Sequence, residues 1–230
     1  MEERNEGPGR YRGSTRVGTE NGAKTKWGET RLSISSNVTV TLFETGKPLN
    51  IILGAGSQVW DGWIPTQRED LDLLDPQTFQ ARLGALRADA FLCEHVWEHL
   101  TEQEGESAAR LCYEFLRPGG FLRCAVPDAN FPDIAYQNTV KIGGPGPADH
   151  PAADHKIVYD VHRFVRVFEQ AGFEVDLLEY CDDSGRFHYN QWDVQSGPIY
   201  RSLLTDHRNQ SGHLGFVSLI IDARKPLASE

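Results

Sequence analysis

The chain has 230 residues, of which 39% are hydrophobic and 24% are charged, with a formal net charge of −10 and an isoelectric point near 5.3. This composition is typical of a soluble globular protein that can bury a core. The excess of carboxylates argues against nucleic acid as the main partner, because it repels phosphate backbones. No apolar run is long enough to span a membrane, and the N-terminus lacks the apolar core of a signal peptide, so we expect a cytoplasmic protein without a membrane partner.

The first part of the chain predicts a leader and then a strand. Residues 1–35 are rich in Gly, Arg, Thr and Glu, and we expect a flexible leader because they offer little apolar surface. A possible edge strand covers 36–43. The apolar run 49–53 predicts a buried strand that ends in a glycine turn, G-A-G.

The rest of the chain alternates predicted helices and strands. A helix over 76–86 would begin after Asp75 as N-cap, and a longer continuous helix would run from about His95 to Leu116, with Glu94 capping its start. This alternation predicts the α/β class, with one doubly wound, mostly parallel sheet in a single domain, 36–230, and an antiparallel last strand. The other predicted elements are strands 88–93, 121–127, 173–181 and 215–225 and a helix over 156–172.

The four cysteines are widely spaced and form no C-x-x-C pair, so neither a zinc ribbon nor a redox dithiol is predicted. We expect buried free thiols in a reducing compartment. They are Cys93, Cys112, Cys124 and Cys181.

The glycine turn follows the first core strand, at the sheet edge where open parallel sheets bind ligands. The dinucleotide fingerprint G-x-G-x-x-G is not met, because residue 59 is Val. The short segment after the turn also leaves little room for a helix that would receive a pyrophosphate. These features argue against NAD or FAD and favour a cofactor that contains adenosine without a diphosphate, although the turn could equally be structural.

The stretch EHVWEH, residues 94–99, contains the order H-x-x-E-H that is found in one class of zinc peptidase. That interpretation needs His95 and His99 on one helix face and a third protein ligand. No histidine elsewhere forms a recognised partner motif, so a zinc hydrolase is a remote alternative and no metal is predicted. The histidines that could supply a third ligand are His150, His155, His162 and His188; the D-H-x-x-x-D-H run over 149–155 with His188 is a second, non-standard metal possibility.

Four segments in order, NIILGAG, GWI, ADAFLCEHVWEHL and LRPGGFLRCAVPD, together resemble the class I S-adenosylmethionine-dependent methyltransferases. The resemblance is greatest to a bacterial branch that carries E-H-V-x-E-H-L, R-P-G-G and V-P-D, and it covers roughly residues 47–225. It implies a Rossmann-like methyltransferase fold, S-adenosyl-L-methionine as cofactor, and in-line transfer of a methyl group to an acceptor.

The resemblance also implies which residues bind the cofactor. Gln67 stands at the end of the second strand, where the family usually has an acidic residue on the ribose hydroxyls, so a weaker, neutral acceptor is predicted. A pocket containing Glu94 would favour the sulfonium cation. The implied cofactor-binding residues are Gly54, Ala55 and Gly56 in the turn, Gln67 at the ribose, Asp72 and Asp75 near the adenine, and Cys93, Glu94 and His95 near the sulfonium.

The segment 128–156 is long and rich in Gly and Pro, which predicts either a lid over the acceptor or a solvated loop. We expect a small-molecule or sugar-like acceptor, and Asp128 or His155 could remove its proton if either came within hydrogen-bond reach. The catalytic candidates are therefore His95, Asp128 and His155. The neutral Gln67 and the short first crossover leave a second hypothesis open, a non-catalytic binding protein of the same fold.

Overall fold

The computed structural model describes residues 47–210 and 212–228. All of them fall within one of the two compact units of the chain, Phe43–Glu230. The predicted leader over 1–35 and the predicted edge strand over 36–43 lie outside the described residues.

Seven strands form a single sheet in the order β2-β1-β3-β4-β7-β5-β6. Strands β1 to β4 pair in parallel, and β7 pairs antiparallel with both β4 and β5, so β5 runs in the same direction as β1 to β4. The predicted α/β class, with a doubly wound, mostly parallel sheet and an antiparallel last strand, is confirmed. The strands are β1 Asn50–Ile52, β2 Ile64–Pro65, β3 Ala88–Glu94, β4 Leu116–Pro127, β5 Glu174–Cys181, β6 Phe187–Tyr189 and β7 Ser218–Arg224.

The described helices are α1 Pro76–Leu83, α2 Glu102–Phe115, α3 Ile134–Val140 and α4 Val161–Glu169, with short 3₁₀ turns at Trp97–His99, Val194–Ser196 and His207–Asn209. Helix α1 begins as predicted, because the Asp75 side chain accepts a hydrogen bond from the Gln77 amide at 3.0 Å. Among the described residues, no helix combines the length and apolar character that spanning a bilayer requires.

The predicted continuous helix from His95 to Leu116 is wrong. Strand β3 continues to Glu94, His95 adopts a left-handed conformation with φ 56°, and the chain makes a 3₁₀ turn before α2 begins. The reason is a capping box, T-x-x-E, in which Thr101 and Glu104 bond each other's backbone amides and start a new helix at Glu102. Glu94 therefore does not cap a helix.

The zinc peptidase hypothesis required residues 95–99 to be helical, and the structure contradicts it. The two imidazoles point to different partners. Nε2 of His95 lies 3.0 Å from Oγ of Ser218, whereas Nδ1 of His99 lies 2.7 Å from Oδ1 of Asp154.

Helix α4 is also shorter than the prediction of 156–172. It begins at Val161 because the Asp160 side chain accepts a hydrogen bond from the Arg163 amide at 2.8 Å and so forms the N-cap. The residues before it, 156–160, stay irregular, and this leaves them free to contact the turn that follows β3.

The four cysteines are buried and unbridged, as predicted. Burial raises the pKa of the Cys112 and Cys124 thiols, which keeps them protonated in the core.

Candidate functional site

A cavity of about 770 Å³ opens where β1 and β3 end. It is lined by residues from the four segments 55–58, 94–99, 139–155 and 200–208, together with Phe216. This is the carboxyl edge of the parallel strands, where open α/β sheets bind ligands. The first two segments form its floor, and the other two form walls contributed by distant parts of the chain.

The two glycines of the turn have different functions, although both have positive φ, 62° for Gly54 and 54° for Gly56. A Cβ on Gly54 would lie 2.8 Å from Cγ2 of Val96, so this glycine permits close packing. A Cβ on Gly56 would meet no atom of the described chain within 4 Å, and Gly56 lines the cavity. Gly56 is thus the residue that leaves space for close approach of a ligand.

Gln67 holds this turn in place. Its Oε1 accepts a hydrogen bond from the Gly56 amide at 3.2 Å, and its Nε2 donates to the Gly56 carbonyl at 2.8 Å. Gln67 lies just beyond the end of β2 but is not part of the cavity lining. The ribose contact implied by the family resemblance would therefore have to compete with this pairing.

Three other predicted cofactor contacts do not reach the cavity. Asp75 caps α1, and Asp72 accepts hydrogen bonds from the Leu74 amide and the Arg68 guanidinium at 2.9 and 3.0 Å. The Cys93 side chain is buried in the core, because neighbouring residues of a strand point to opposite faces. The structure brings the next residue, Glu94, to the cavity instead.

Glu94 is 5% exposed and is saturated by protein donors. Its Oε2 accepts hydrogen bonds from Nε2 of Gln58 at 2.7 Å and from the Tyr200 amide at 2.8 Å. Its Oε1 accepts from the Arg201 amide at 2.9 Å and from the Arg201 guanidinium at 3.2 Å. The free negative charge that we predicted for a sulfonium is therefore already paired, and Glu94 fastens the wall 200–208 to the glycine turn.

Sequence reasoning missed Tyr200 and Arg201. The segment around them has no regular element except short 3₁₀ turns, so no apolar periodicity marks it. Tyr200 also packs against Trp60, with ring centroids 4.6 Å apart. The wall is thus fixed to the floor of the cavity by a carboxylate and by an aromatic pair.

Gln58 leaves one polar atom unsatisfied. Its Nε2 bonds Glu94, but its Oε1 is buried and has no hydrogen-bond partner among the described residues. An unpartnered buried acceptor is costly, and Gln58 lines the cavity two residues from Gly56. A ligand donor, such as an ammonium group, would satisfy it.

Glu98 is the second carboxylate of the cavity and differs from Glu94. It is 1% exposed, and neither of its oxygens has a hydrogen-bond partner in the described chain. Nδ1 of His95 lies 3.1 Å from its Oε1, but the contact lacks hydrogen-bond geometry. Burial opposes ionisation of Glu98, yet the nearby His95, and more weakly His99, outweigh it and lower the pKa of this carboxyl below its usual value.

Histidines are concentrated here. Five of the eight histidines of the chain line the cavity, so its lining is unusually rich in imidazole groups. They are His95, His99, His150, His155 and His207.

His155 lies close to Glu98, with its Nε2 4.0 Å from Oε1. Its Nδ1 lies 2.8 Å from the Val140 carbonyl, and burial lowers the pKa of its imidazole. The contact between the two residues arises because the Lys156 amide donates a hydrogen bond to the Glu98 carbonyl at 2.8 Å. The predicted lid segment therefore does form part of the cavity, through residues 139–155.

Asp128 is not brought to the cavity. It is fully buried, and its carboxylate accepts hydrogen bonds from the Cys181 amide at 2.7 Å and the Asn130 amide at 2.8 Å. Burial raises its pKa to about 6. Among the catalytic candidates, only His95 and His155 line the cavity. The second metal set that we considered is not assembled either, because His188 pairs with Asp182 at 2.7 Å.

Comparison with known proteins gives structural similarity only. No protein-family model matches the chain, and no curated protein matches it. Similar solved structures include a SAM-dependent methyltransferase from Archaeoglobus fulgidus, with 13% identity, TM-score 0.43 and coverage of 78% of this chain and 87% of that one.

Two further similar structures are longer than this chain. An O-methyltransferase family protein from Burkholderia thailandensis has 13% identity and TM-score 0.46, with 84% of this chain and 54% of that one covered. Human N-acetylserotonin methyltransferase in complex with SAM has 11% identity and TM-score 0.39, with 78% and 41% covered. The chain thus spans about half of each. At these scores the similarity adds no weight to a functional assignment.

Proposed function

We propose that the chain is a methyltransferase that uses S-adenosylmethionine and acts on a small-molecule or sugar-like acceptor. The observation that carries the proposal is the convergence of the glycine turn and the end of β3 on one cavity. Gly56 leaves open space at its floor, and Gln58, whose Oε1 has no hydrogen-bond partner among the described residues, lines the same cavity.

The residues present fit the amino-acid end of the cofactor. Oε1 of Gln58 would accept a hydrogen bond from the cofactor ammonium, and the Arg201 guanidinium would face its carboxylate. Glu94 holds both of these side chains through its hydrogen bonds. At the ribose end, only the neutral Gln67 corresponds to the family pattern, and its amide already bonds Gly56.

When bound, the cofactor would supply a sulfonium methyl group, which an acceptor nucleophile attacks in line with the departing sulfur. The chain's residues then have to align the acceptor and exclude water. The wall 139–155 would enclose the acceptor, whereas Arg201 in the wall 200–208 would face the cofactor. His95 lines the same cavity, and it is the histidine that we place nearest to the transferred methyl group.

The test is a calorimetric titration of the full chain with S-adenosylmethionine, followed by detection of S-adenosylhomocysteine after incubation with a panel of hydroxylated small molecules. We expect saturable binding and acceptor-dependent release of S-adenosylhomocysteine. Absence of binding heat, together with an unchanged melting temperature at millimolar cofactor, would contradict the proposal.

A second candidate function is a non-catalytic binding protein with the same cofactor site. The observation in its favour is that the Gln67 amide already bonds Gly56 and the Glu94 carboxylate already pairs with Arg201. Neither side chain is therefore free to bind the ribose hydroxyls. Saturable cofactor binding without any release of S-adenosylhomocysteine across the panel would favour this function.

A further inference from the structure

Three side chains on the acceptor side of the cavity have the composition of a metal site. Glu98, His99 and His155 each offer one ligand atom, and these atoms all lie within 4.8 Å of one another. Nitrogen and oxygen ligands lie about 2 Å from a zinc ion, so two ligands of one ion are at most about 4 Å apart. Small side-chain rotations would close the remaining difference.

Both imidazoles make the kind of Nδ1 contact that metal-binding histidines usually make. Nδ1 of His155 lies 2.8 Å from the Val140 carbonyl, and Nδ1 of His99 lies 2.7 Å from the Asp154 carboxylate. A histidine that donates one ring N–H to a carbonyl or carboxylate keeps the lone pair of its other nitrogen for a metal. In both residues that other nitrogen is Nε2.

Glu98 provides an independent indication of a ligand. Its side chain is 1% exposed and lines the cavity, and both oxygens lack a hydrogen-bond partner among the described residues. A buried carboxylate in this state is unfavourable unless a cation or donor joins it. Nδ1 of His95 lies 3.1 Å from Oε1 of Glu98 without hydrogen-bond geometry, and Nε2 of His95 contacts Oγ of Ser218, so no described group donates a hydrogen bond to Glu98.

We infer that Glu98, His99 and His155 bind one divalent transition-metal ion. Two imidazoles and one carboxylate suit Zn²⁺ or Fe²⁺, whereas Mg²⁺ and Ca²⁺ prefer oxygen ligands alone. Three protein ligands leave at least one coordination position for water or another oxygen, and the cavity provides access to it. The set differs from the H-x-x-E-H pattern, because His155 replaces His95.

The position of the site gives the ion a function, and this part rests on the proposed methyl transfer. An acceptor hydroxyl bound at the open position would have a lower pKa, so its O–H bond would break and the proton would pass to solvent water. The oxygen would then form the O–CH₃ bond while the S–CH₃ bond breaks, and the electron pair would stay on sulfur. The expected acceptor class is therefore a small molecule whose hydroxyl can bind a metal.

The test uses the full chain without an affinity tag. The protein is stripped of metal with a chelator, titrated with Zn²⁺ by calorimetry in the absence of cofactor, and its metal content is then measured by mass spectrometry. We expect one equivalent of Zn²⁺, bound with micromolar or tighter affinity. Because cofactor binding is measured separately on the metal-free chain, failure of this inference and failure of the proposed function are distinguishable.

Variants assign the ligands. Glu98→Gln and His155→Gln should each weaken Zn²⁺ binding more than about 100-fold, because even outer partners of metal ligands contribute 10- to 100-fold. Asp154→Asn should weaken it about 10-fold through His99. The matched control is His188→Gln, whose histidine pairs with Asp182 away from the cavity, and it should leave binding unchanged.

The inference is overturned by absence of stoichiometric Zn²⁺ binding in the wild-type chain. It is also overturned if Glu98→Gln and His155→Gln keep wild-type affinity, or if His188→Gln loses as much affinity as they do. If either ligand variant fails to fold by circular dichroism, His99→Gln replaces it, since the His99 side chain is 28% exposed and its substitution disturbs the core less.

Discussion

The cavity has two halves, each with one buried glutamate, and the two glutamates differ in their hydrogen bonds. One half, formed by Gly56, Gln58, Glu94 and Arg201, is the part that we propose binds the cofactor, and we call it the cofactor half. In it, the buried Glu94 carboxylate accepts hydrogen bonds from three residues. In the histidine half, formed by Glu98, His99 and His155, the buried Glu98 carboxylate accepts none from the described chain. The two glutamates are in one short segment, so sequence proximity does not determine their function.

This difference separates a structural carboxylate from a ligand-binding one. Glu94 has its full set of partners in the folded chain and stabilises the contact between the wall 200–208 and the glycine turn. Glu98 has His95 nearby but accepts no hydrogen bond from the described chain, and a cation that enters the cavity would bind its oxygens directly.

Removing the two carboxylates should have unequal effects on stability. Glu94→Ala leaves the Gln58 amide, two backbone amides and the Arg201 guanidinium without their acceptor, and we expect the free energy of unfolding to fall by about 3 kcal/mol or more. Glu98→Ala removes a carboxylate that accepts no hydrogen bond from the described chain and has only His95 as a close charged neighbour, so in the metal-free chain the loss should be smaller, about 1 kcal/mol. Urea denaturation at pH 7 measures both. Equal effects on stability would remove the contrast between the two halves.

The same two variants should also differ in cofactor binding. Glu94→Ala should weaken cofactor binding or turnover more than Glu98→Ala does, because Glu94 positions Gln58 and Arg201. If both variants fold and neither changes cofactor affinity, Glu94 has no part in the cofactor site.

A third buried carboxylate, Glu179, should make the stability of the protein depend on pH. It accepts hydrogen bonds from the Trp192 indole at 3.0 Å and the Leu203 amide at 2.8 Å, yet burial raises its pKa from 4.5 to about 7. Because the folded pKa is raised, the folded state binds the proton more tightly. The resulting stabilisation is complete below pH 4.5 and is lost as the pH rises to about 7, with a total of about 3 kcal/mol.

Glu179→Gln tests this pH dependence. The difference in unfolding free energy between wild-type and variant should change by that amount between pH 4.5 and pH 7, in favour of the wild-type at the lower pH. A difference that is constant over this range would show that the carboxylate does not titrate there.

The floor of the cofactor half can be tested with two matched glycines. Gly56 and Gly62 both have positive φ, 54° and 76°, and neither has described atoms near the position of a Cβ, but only Gly56 lines the cavity. Valine at either site should cost about 1–3 kcal/mol of stability from backbone strain. Only Gly56→Val should also weaken cofactor binding, by about 100-fold or more, as measured by calorimetry. A folded Gly56→Val with wild-type affinity would place the cofactor elsewhere.

The smallest expected effect concerns Gln67. If it acts by holding the Gly56 peptide, Gln67→Ala should reduce cofactor affinity only about 5-fold, the equivalent of about 1 kcal/mol for its exposed hydrogen bonds. A loss greater than 100-fold with unchanged stability would instead indicate a direct contact with the ribose, as in the family pattern.

The fold could be predicted from the sequence where local signals are strong. Buried apolar runs gave β1, β3 and β4, and Asp75 marked the start of α1. The prediction failed at residues 95–101, where apolar spacing continued through a break. The helix starts instead at the T-x-x-E capping box of Thr101 and Glu104, a local signal that apolar spacing alone does not register.

The site was less predictable because its key contacts join distant segments. The sequence predicted that the glycine turn, Glu94 and His95 lie at the carboxyl edge of the sheet, and Ala55, Gly56, Glu94 and His95 line the cavity there, whereas their cofactor roles are implied only by the family resemblance. No local pattern links Glu98 to His155 or Glu94 to Arg201, since these pairs form only when the two walls fold over the floor. Asp128 was misplaced because sequence spacing does not show that backbone amides would surround its carboxylate.

The most direct test of the central claim is a crystal structure of the full chain with S-adenosylhomocysteine. We predict electron density for its amino-acid moiety beside Gly56, with its ammonium within hydrogen-bond distance of Oε1 of Gln58 and its sulfur directed towards His95. Density at another surface, or a cavity closed by Tyr200 and Arg201 while the nucleoside binds elsewhere, would contradict it.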